Sequence, residues 1–320
     1  MTAVGIALIG AGRWGTVLGK ALARVSDAEL RWICEIDAGR RAQAASIHPT
    51  ARVTADLEQV LADPEVAAAA VAVDSPLHHP IGLQVLRADR HLLVEKPMAL
   101  STADATELVA AASSRGRVLW VGHLLLHHPA VVRAHELVTS GALGEISHLE
   151  AARLTSGNGP VTRSAWWSLA PHDVSLALRL LEATPVQVAA IGVRRRGEPD
   201  SVVWATLSFD DGRLAHLHVG RIGDAKTRRV SVVGSRRILT FDELAERPLH
   251  LVDLNGTEID LEGSSFSDVD PLLSQCRHFV SGVAHADTSA GNGAHALAVV
   301  RVLEAGARSM DEGGTPVQVR

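Results

Sequence analysis

Apolar residues fall along this chain in short runs that alternate between two spacings. Val4 to Ile9 is a continuous apolar run, and Val17, Leu18, Ala21, Leu22 and Val25 follow at helical spacing. The pattern predicts a buried strand and then an amphipathic helix. Further apolar runs at Leu30 to Ile36, Val66 to Val73, His91 to Val94 and Val118 to Val121 predict four more strands. Helical spacing returns over Leu77 to Ala88. It appears again after Ser101-Thr102-Ala103-Asp104, a capping-box pattern, where Ala105, Leu108, Val109 and Ala112 share a face. Strands and helices alternating at these lengths predict a doubly wound parallel sheet.

The second half reads differently. Pro129 to Ser140 is an amphipathic helix with Ala130, Val131, Ala134, Leu137 and Val138 apolar, closed by Gly141. Runs at 146–154, 186–195, 201–209, 213–221, 227–233 and 236–241 follow, separated by turns such as Asp210-Asp211-Gly212. Hairpin connections predict a large, mostly antiparallel sheet. In 213–221, Ala215, Leu217 and Val219 form one face, predicted to pack on helices. Leu214, His216 and His218 form the other, a surface, substrate wall or subunit interface. A helix over His172 to Glu182 has Val174, Ala177, Leu178 and Leu181 on its stripe, and 293–309 carries Ala296, Val299, Val300, Leu303 and Ala307. The change of pattern divides the chain into a first domain over 1–122 and an α+β domain over 123–320.

Composition narrows the class without choosing a reaction. The 320 residues exceed what one core usually fills, in line with two domains. A hydrophobic fraction of 47% with 27 Gly and 13 Pro is ordinary for a globular protein. The net charge of -5 is spread along the chain, which argues against nucleic acid or an acidic membrane as partner. Cys34 and Cys276 are the only cysteines, so a disulfide scaffold and a cysteine metal site are excluded. With no signal peptide or bilayer-length apolar run read from the sequence, a cytoplasmic protein is expected.

The chemistry lies at predicted strand ends. Gly10-Ala11-Gly12-Arg13-Trp14-Gly15 stands between a strand and a helix, the context in which Gly-x-Gly-x-x-Gly binds a dinucleotide. Gly10 suits the tight turn, Gly12 the approach of a pyrophosphate, and Gly15 close helix packing. Glu35, about twenty residues on, suits the ribose hydroxyls and repels a 2′-phosphate. NAD is therefore favoured over NADP, although Asp37 is a second acid and Arg40 or Arg41 can reach a phosphate. Ser75-Pro76 ends another strand, with His78 and His79 behind it; no further ligand stands at metal spacing, so no metal is expected. His91-Leu92-Leu93-Val94-Glu95-Lys96-Pro97 delivers a charged pair to the carboxyl edge of the sheet, where ligands of open α/β sheets sit. Taken alone, Lys96 suits a surface lysine at a strand end equally well.

Together these motifs resemble the glucose-fructose oxidoreductase / inositol dehydrogenase / rhizopine-catabolism (Gfo/Idh/MocA) family. The resemblance rests on the glycine loop, Ser75-Pro76 with a nearby histidine, Glu95-Lys96-Pro97, Gly122-His123, Gly141-Ala142-Leu143-Gly144-Glu145-Ile146 and Ala170-Pro171-His172-Asp173. Trp14-Gly15, which ends the glycine loop, and the Ala-Pro-His-Asp segment look most like the nucleotide-sugar dehydrogenase branch. The resemblance implies a nicotinamide-dependent oxidoreductase interconverting a secondary alcohol and a ketone on a sugar, nucleotide sugar or cyclitol. It gives Lys96 the oxyanion and His172 the proton, with Glu95 supporting Lys96 or touching the nicotinamide ribose. The cofactor set is Gly10, Gly12, Arg13, Trp14, Gly15, Glu35, Ser75, Pro76, His78 and Glu95. The resemblance further implies a Lys96–Pro97 bond that is often cis, a homo-oligomer (dimer or tetramer) through the C-terminal sheet, and a late helix near 293–309 able to pack back on the first domain.

Two positions depart from the family. Ser168 stands where many members have an aspartate four residues before the histidine, removing a carboxylate that would orient the imidazole and favour its charged form. Leu124-Leu125-Leu126-His127-His128 replaces a segment where arginine is frequent. Both point to a different substrate or to more proton handling by Lys96. The chain has no tyrosine, which excludes a tyrosine acid. Trp166 and Trp167 suit a nicotinamide wall, a sugar platform or the core. Two alternatives stand: an imine or enone reductase on the same fold, and a silent dinucleotide-binding regulator.

Overall fold

The computed structural model describes residues 3–157, 162–194, 197–261, 266 and 270–320. Residue 195 of the predicted run 186–195 lies outside the described residues. In chain order the first elements are β1 (Val4–Ile9), α1 (Arg13–Leu22), β2 (Ala28–Cys34), α2 (Ala38–Ile47), β3 (Arg52–Thr54), α3 (Leu57–Ala62) and β4 (Ala68–Val71). Then come α4 (His78–Arg87), β5 (His91–Val94), α5 (Thr102–Ser114), β6 (Leu119–Val121), α6 (Pro129–Thr139), β7 (Ile146–Leu154) and α7 (Ala165–Leu181). The chain continues with β8 (Gln187–Arg194), β9 (Asp200–Ser208), β10 (Leu214–Gly220), β11 (Thr227–Gly234), β12 (Arg237–Asp242) and β13 (Leu249–Asp253). It ends with α8 (Pro271–Ala284), α9 (Gly293–Asp311) and β14 (Val317–Gln318).

Two compact units emerge: Met1–Leu124 with Asp270–Leu297, and Leu125–Val269 with Ala298–Arg320. The first unit holds a parallel six-stranded sheet in the order β3-β2-β1-β4-β5-β6, the doubly wound sheet expected from the pattern. Every residue of β1, β4 and β5 is buried, as a sheet covered on both faces requires. Two details differ from the expected pattern. Val17 is exposed and Val25 lies beyond the end of α1, so the helix buries a narrower stripe of Leu18, Ala21 and Leu22. Strand β2 stops at Cys34, leaving Ile36 84% exposed past its end.

His91 starts β5, and its Nδ1 accepts the Val118 N–H at 2.9 Å. Burial and the neighbouring Arg117 push its pKa down to about 4, which keeps that nitrogen an acceptor. The outer edge of β6 is closed by one side chain. Asn292 donates from Nδ2 to the Val121 carbonyl (2.9 Å), its Oδ1 accepts the Val121 N–H (2.6 Å), and its own N–H reaches the Leu119 carbonyl (3.1 Å). This pairing covers backbone groups that an edge strand would otherwise expose. Helix α8 adds Leu272, Cys276, Phe279 and Val280 to the core around Leu18, Leu22 and Trp120. Burial pushes the Cys34 thiol up to about 11 and the Cys276 thiol up to about 12, which leaves both unreactive.

The second unit holds an eight-stranded sheet in the order β13-β12-β11-β7-β10-β9-β8-β14. Its neighbours are antiparallel except β7 and β10, which run parallel. The expected division of β10 holds: Ala215, Leu217 and Val219 are buried, and α7 packs on β7, β9 and β10. Helix α7 corrects the sequence reading. It starts at Ala165 rather than His172, so His172 lies inside the helix. Ser164 caps it by accepting the Trp167 N–H, and the Asp200 carboxylate accepts both the Trp166 N–H and the Ser164 hydroxyl, each at 2.9 Å. Pro171 looked like a residue ahead of the helix, yet it sits in the interior. Its missing N–H is the cost accepted there. Trp166 is fully buried, with its indole N–H on the Leu303 carbonyl (2.7 Å) and its ring against Gly306. It is a core residue.

Asp173, the residue after His172, is tied to β7. Arg153 donates from Nε to both its carboxylate oxygens (3.0 and 3.1 Å) and from Nη1 to Glu243 (3.0 Å), which also binds Arg228. Arg153 and Asp173 are 3% and 1% exposed, so this is a buried pair. Burial pushes the Glu243 carboxyl up, but Arg153 and Arg228 together outweigh it and hold its pKa below the usual range. Arg153→Met would leave the Asp173 charge buried without its partner. Urea unfolding should then show a loss of about 3–5 kcal/mol, and an unchanged midpoint would refute this account of how α7 is anchored.

Candidate functional site

Strand order reverses between β1 and β4, so their carboxyl ends open the crevice where doubly wound sheets bind ligands. The glycine loop follows β1. Gly10 has φ +92°, and a Cβ there would lie 2.7 Å from the Ala72 carbonyl oxygen, so only glycine fits. A Cβ at Gly15 would drive into the Gly10 carbonyl oxygen, which is how α1 comes so close to β1. Gly12 is open: a Cβ there would meet only the Arg40 Nη1, 4.0 Å away. It is the N-cap of α1, with no side-chain cap and no acid in the first turn, so the first amides of the helix keep their affinity for an anion. Arg13 and Trp14 are exposed on that turn.

Glu35 ends its strand behind this loop, 5% exposed. Its Oε2 accepts the Ala11 N–H (2.8 Å) and its Oε1 the Asp37 N–H (2.9 Å), which fixes the carboxylate while each oxygen keeps a lone pair. Asp37 is occupied as the N-cap of α2, accepting the Arg40 N–H. Arg41 binds the carbonyls of Glu35 and Ile36, whereas Arg40 points to the glycine loop.

Ser75 and Pro76 form a short 3₁₀ turn after β4, Ser75 half-buried and Pro76 exposed. His78 is 1% exposed, with Nδ1 2.8 Å from the Pro97 carbonyl and Nε2 3.0 Å from the Val73 carbonyl. Both ring nitrogens face backbone oxygens, so His78 clamps the loop after β4 to the loop after β5 rather than offering an edge to a ligand. Burial lowers its pKa despite those two carbonyls.

The loop after β5 places Glu95, half-buried Lys96 and Pro97 at the same sheet edge, with the Lys96–Pro97 bond cis. Glu95 is buried, and burial raises its pKa against the opposing effects of the Trp14 side chain and the Lys96 charge. Gly122 makes room for it, since a Cβ there would lie 2.8 Å from Oε2. The sequence reading listed no role for Gly122 beyond a motif match; the crowding of Glu95 supplies one.

In the second unit, His172 and Ser168 are half-buried and lie one turn apart on α7. Ser168 donates to the Ser164 carbonyl and accepts from the Nε of Arg221 (3.0 Å), which immediately follows β10. Arg221 was missed in the sequence, although a charge ending an apolar strand is the signal that singled out Lys96. Among the described residues no group of His, Cys, Asp and Glu could hold a metal ion, and no helix is long and apolar enough to cross a membrane.

Comparison with known proteins decides the family. The model of the oxidoreductase family with NAD-binding Rossmann fold (GFO/IDH/MocA) matches residues 4–123, and that of the GFO/IDH/MocA C-terminal domain matches 131–240. The chain belongs to the Gfo/Idh/MocA family. Among curated relatives, UDP-N-acetylglucosamine 3-dehydrogenase of Acidithiobacillus ferrooxidans is 28% identical over 284 residues, covering 87% of this chain and 88% of its own. The 1,5-anhydro-D-fructose reductase of Ensifer adhaerens is 25% identical over 292 residues, covering 81% and 83%. The crystal structure of GenD2 from gentamicin A biosynthesis, in complex with NAD, superposes with a TM-score of 0.85 at 28% identity, over 100% of this chain and 97% of that one. This Gfo/Idh/MocA protein is thus a nicotinamide-dependent oxidoreductase. Its first unit fits the dinucleotide: open backbone at Gly12, uncapped amides on α1, and a fixed carboxylate at Glu35.

Gly12 and Gly15 should separate under mutation. Gly12→Ala is expected to melt like the parent yet bind NAD at least about tenfold more weakly, because a methyl group stands where the phosphate approaches. Gly15→Ala should lose about 1–3 kcal/mol or more of stability through overpacking. Thermal melts alongside dinucleotide titration check both; normal NAD binding by Gly12→Ala would contradict the site.

Proposed function

We propose that this protein interconverts a secondary alcohol and the matching ketone on a sugar, nucleotide sugar or cyclitol, with NAD favoured over NADP. The observation that carries the reading is Lys96, delivered by a fully buried strand to the sheet edge that also bears the glycine loop. The names of the relatives, a nucleotide-sugar dehydrogenase and an anhydrosugar reductase, support the substrate class. Glu35 supports NAD: a carboxylate held by two backbone amides accepts ribose hydroxyls and repels a 2′-phosphate. Arg40, near the glycine loop, is a group that favours a phosphate.

When bound, NAD would supply the hydride acceptor. In the oxidising direction the carbinol C–H bond breaks with loss of hydride, the O–H bond breaks with loss of a proton, and the C=O bond forms. Lys96 stabilises the alkoxide character of that oxygen, and His172 takes the proton. In the reducing direction the same groups return them. Glu95 sets the environment of Lys96 from its buried position. The homo-oligomer implied by the resemblance finds support in Ile191, Trp204 and Leu214, which are 60%, 40% and 44% exposed on one face of β8 to β10, with His218 stacked on Trp204.

Lys96→Ala should lower kcat by about 10²–10³-fold, the scale of losing an oxyanion partner, while the Kd for NAD stays within about twofold. Turnover over a panel of sugars and cyclitols, followed at the reduced-nicotinamide absorbance, checks this. Near-normal turnover of the variant would remove Lys96 from the mechanism. Tight NAD binding with no redox change on any substrate would favour a regulator instead.

A further inference from the structure

Glu35 and Arg40 carry an inference about the cofactor, resting on the reading above in which Glu35 receives the ribose hydroxyls. The two side chains address consecutive residues of the glycine loop. Glu35 Oε2 accepts the Ala11 N–H at 2.8 Å, and Arg40 Nη1 lies 4.0 Å from where a Cβ on Gly12 would stand. Neighbouring Cα atoms are about 3.8 Å apart, so an acid and a cation serve one short stretch of backbone. They do not neutralise each other. Each Glu35 oxygen is held by a backbone amide, that of Ala11 or of Asp37. The Arg40 side chain makes no hydrogen bond or ion pair among the described residues. Its place comes from the helix that bears it: the Asp37 cap accepts the Arg40 N–H at 2.8 Å and fixes the first turn of α2 just beyond Glu35. The next residue, Arg41, is occupied by the carbonyls of Glu35 and Ile36 at 2.8 and 2.6 Å. Arg40 is therefore the guanidinium of that turn left open to a ligand.

From this geometry we infer that the protein also takes NADP, with Arg40 receiving the 2′-phosphate, and that its preference for NAD comes from the Glu35 charge acting against Arg40. A guanidinium matches phosphate oxygens with a bidentate pair of hydrogen bonds. The uncapped amides of α1 and the open backbone at Gly12 already suit the pyrophosphate that both dinucleotides share. Arg40 is thus a cation beyond what NAD requires. Because Glu35 and Arg40 are not bonded to each other, one repels and the other attracts the 2′-phosphate independently. Selectivity is the difference between these opposed effects, and it is shallow. Removing the carboxylate charge leaves a site already equipped for NADP, so one substitution is enough to reverse the preference.

The test measures binding, with no sugar present. NAD, NADP, adenosine 5′-monophosphate and adenosine 2′,5′-bisphosphate are titrated calorimetrically into the parent protein and into Arg40→Met, Arg40→Lys and Glu35→Gln, with thermal melts alongside. The parent should bind both dinucleotides, with Kd values no more than about a hundredfold apart. Arg40→Met should weaken NADP and the bisphosphate by about 10–100-fold, the scale of lost charge-assisted hydrogen bonds. NAD and the monophosphate should stay within about threefold, since neither carries the group that Arg40 receives. Arg40→Lys should recover part of the loss, and Glu35→Gln should bind NADP more tightly than NAD. If Glu35→Gln melts early, the Arg40 variants decide alone, because that side chain is exposed and holds no bond of the fold. A parent that does not bind NADP, or an Arg40→Met variant that leaves NADP unchanged, overturns the inference. Equal weakening of all four ligands also overturns it, since Arg40 would then serve the phosphate common to them. A parent that binds NADP more tightly than NAD, and does so through Arg40, keeps this inference and sinks the preference for NAD. A parent that favours NAD whether or not Arg40 is present does the reverse.

Discussion

The contact between Gly15 and the Gly10 carbonyl governs the first unit. With no Cβ at Gly15, α1 comes close enough to β1 for its first turn to lie directly behind the loop. That approach leaves Gly12 as the only open backbone of the three glycines and brings the Ala11 N–H onto Glu35. One absent methyl group thus determines both where the backbone is open at Gly12 and how the Glu35 carboxylate, proposed for the ribose, is aimed. The loops after β4 and β5 are set by an equally local device. His78 is buried between them, with a ring nitrogen within hydrogen-bond distance of a carbonyl in each. Lys96 inherits its position from that clamp and from the fully buried strand before it.

The second unit orders its functional helix with charges instead of glycines. Asp200 fixes the start of α7 through two hydrogen bonds, and the Arg153–Asp173 pair fixes its middle. Buried ion pairs are weak contributors to stability compared with apolar packing, but breaking one is costly, and this makes them good specifiers of geometry. Here the specified position is the one next to His172. Trp166 supplies the apolar part of the anchor, filling the space that Gly306 leaves on α9.

Much of this was legible because it is local. The alternation of buried strands and amphipathic helices, the strand–loop–helix context of Gly10 to Gly15, and the apolar run into Glu95 and Lys96 are each visible within about ten residues. What was not legible depends on distant partners. The start of α7 was misplaced because Pro171 resembles a helix boundary, while the carboxylate that stabilises the true start, Asp200, stands 36 residues beyond the capping Ser164. The parallel pairing of β7 with β10 joins strands that no hairpin connects. Asn292 closing the edge of β6 across 171 residues, and Arg221 reaching Ser168 across 53, leave no local trace. Trp166 and Trp167 remained ambiguous for the same reason, since a glycine on another helix decides that the first is core.

These anchors explain how residue 168 can differ from the aspartate common in the family without disturbing the helix that bears His172. The positioning of α7 draws on Asp200, Arg153 and Asp173, and none of their bonds passes through the side chain at 168. That side chain donates to the Ser164 carbonyl and accepts from the Nε of Arg221. A carboxylate there would add a second negative charge beside Arg221, on which Asp200 already acts; a hydroxyl keeps the hydrogen bond without adding charge. The substitution therefore changes the electrostatics offered to a ligand while the imidazole keeps its support. Scaffold and selectivity are carried by different bonds within one helix, which is the condition for substrate range to change on a fixed catalytic frame.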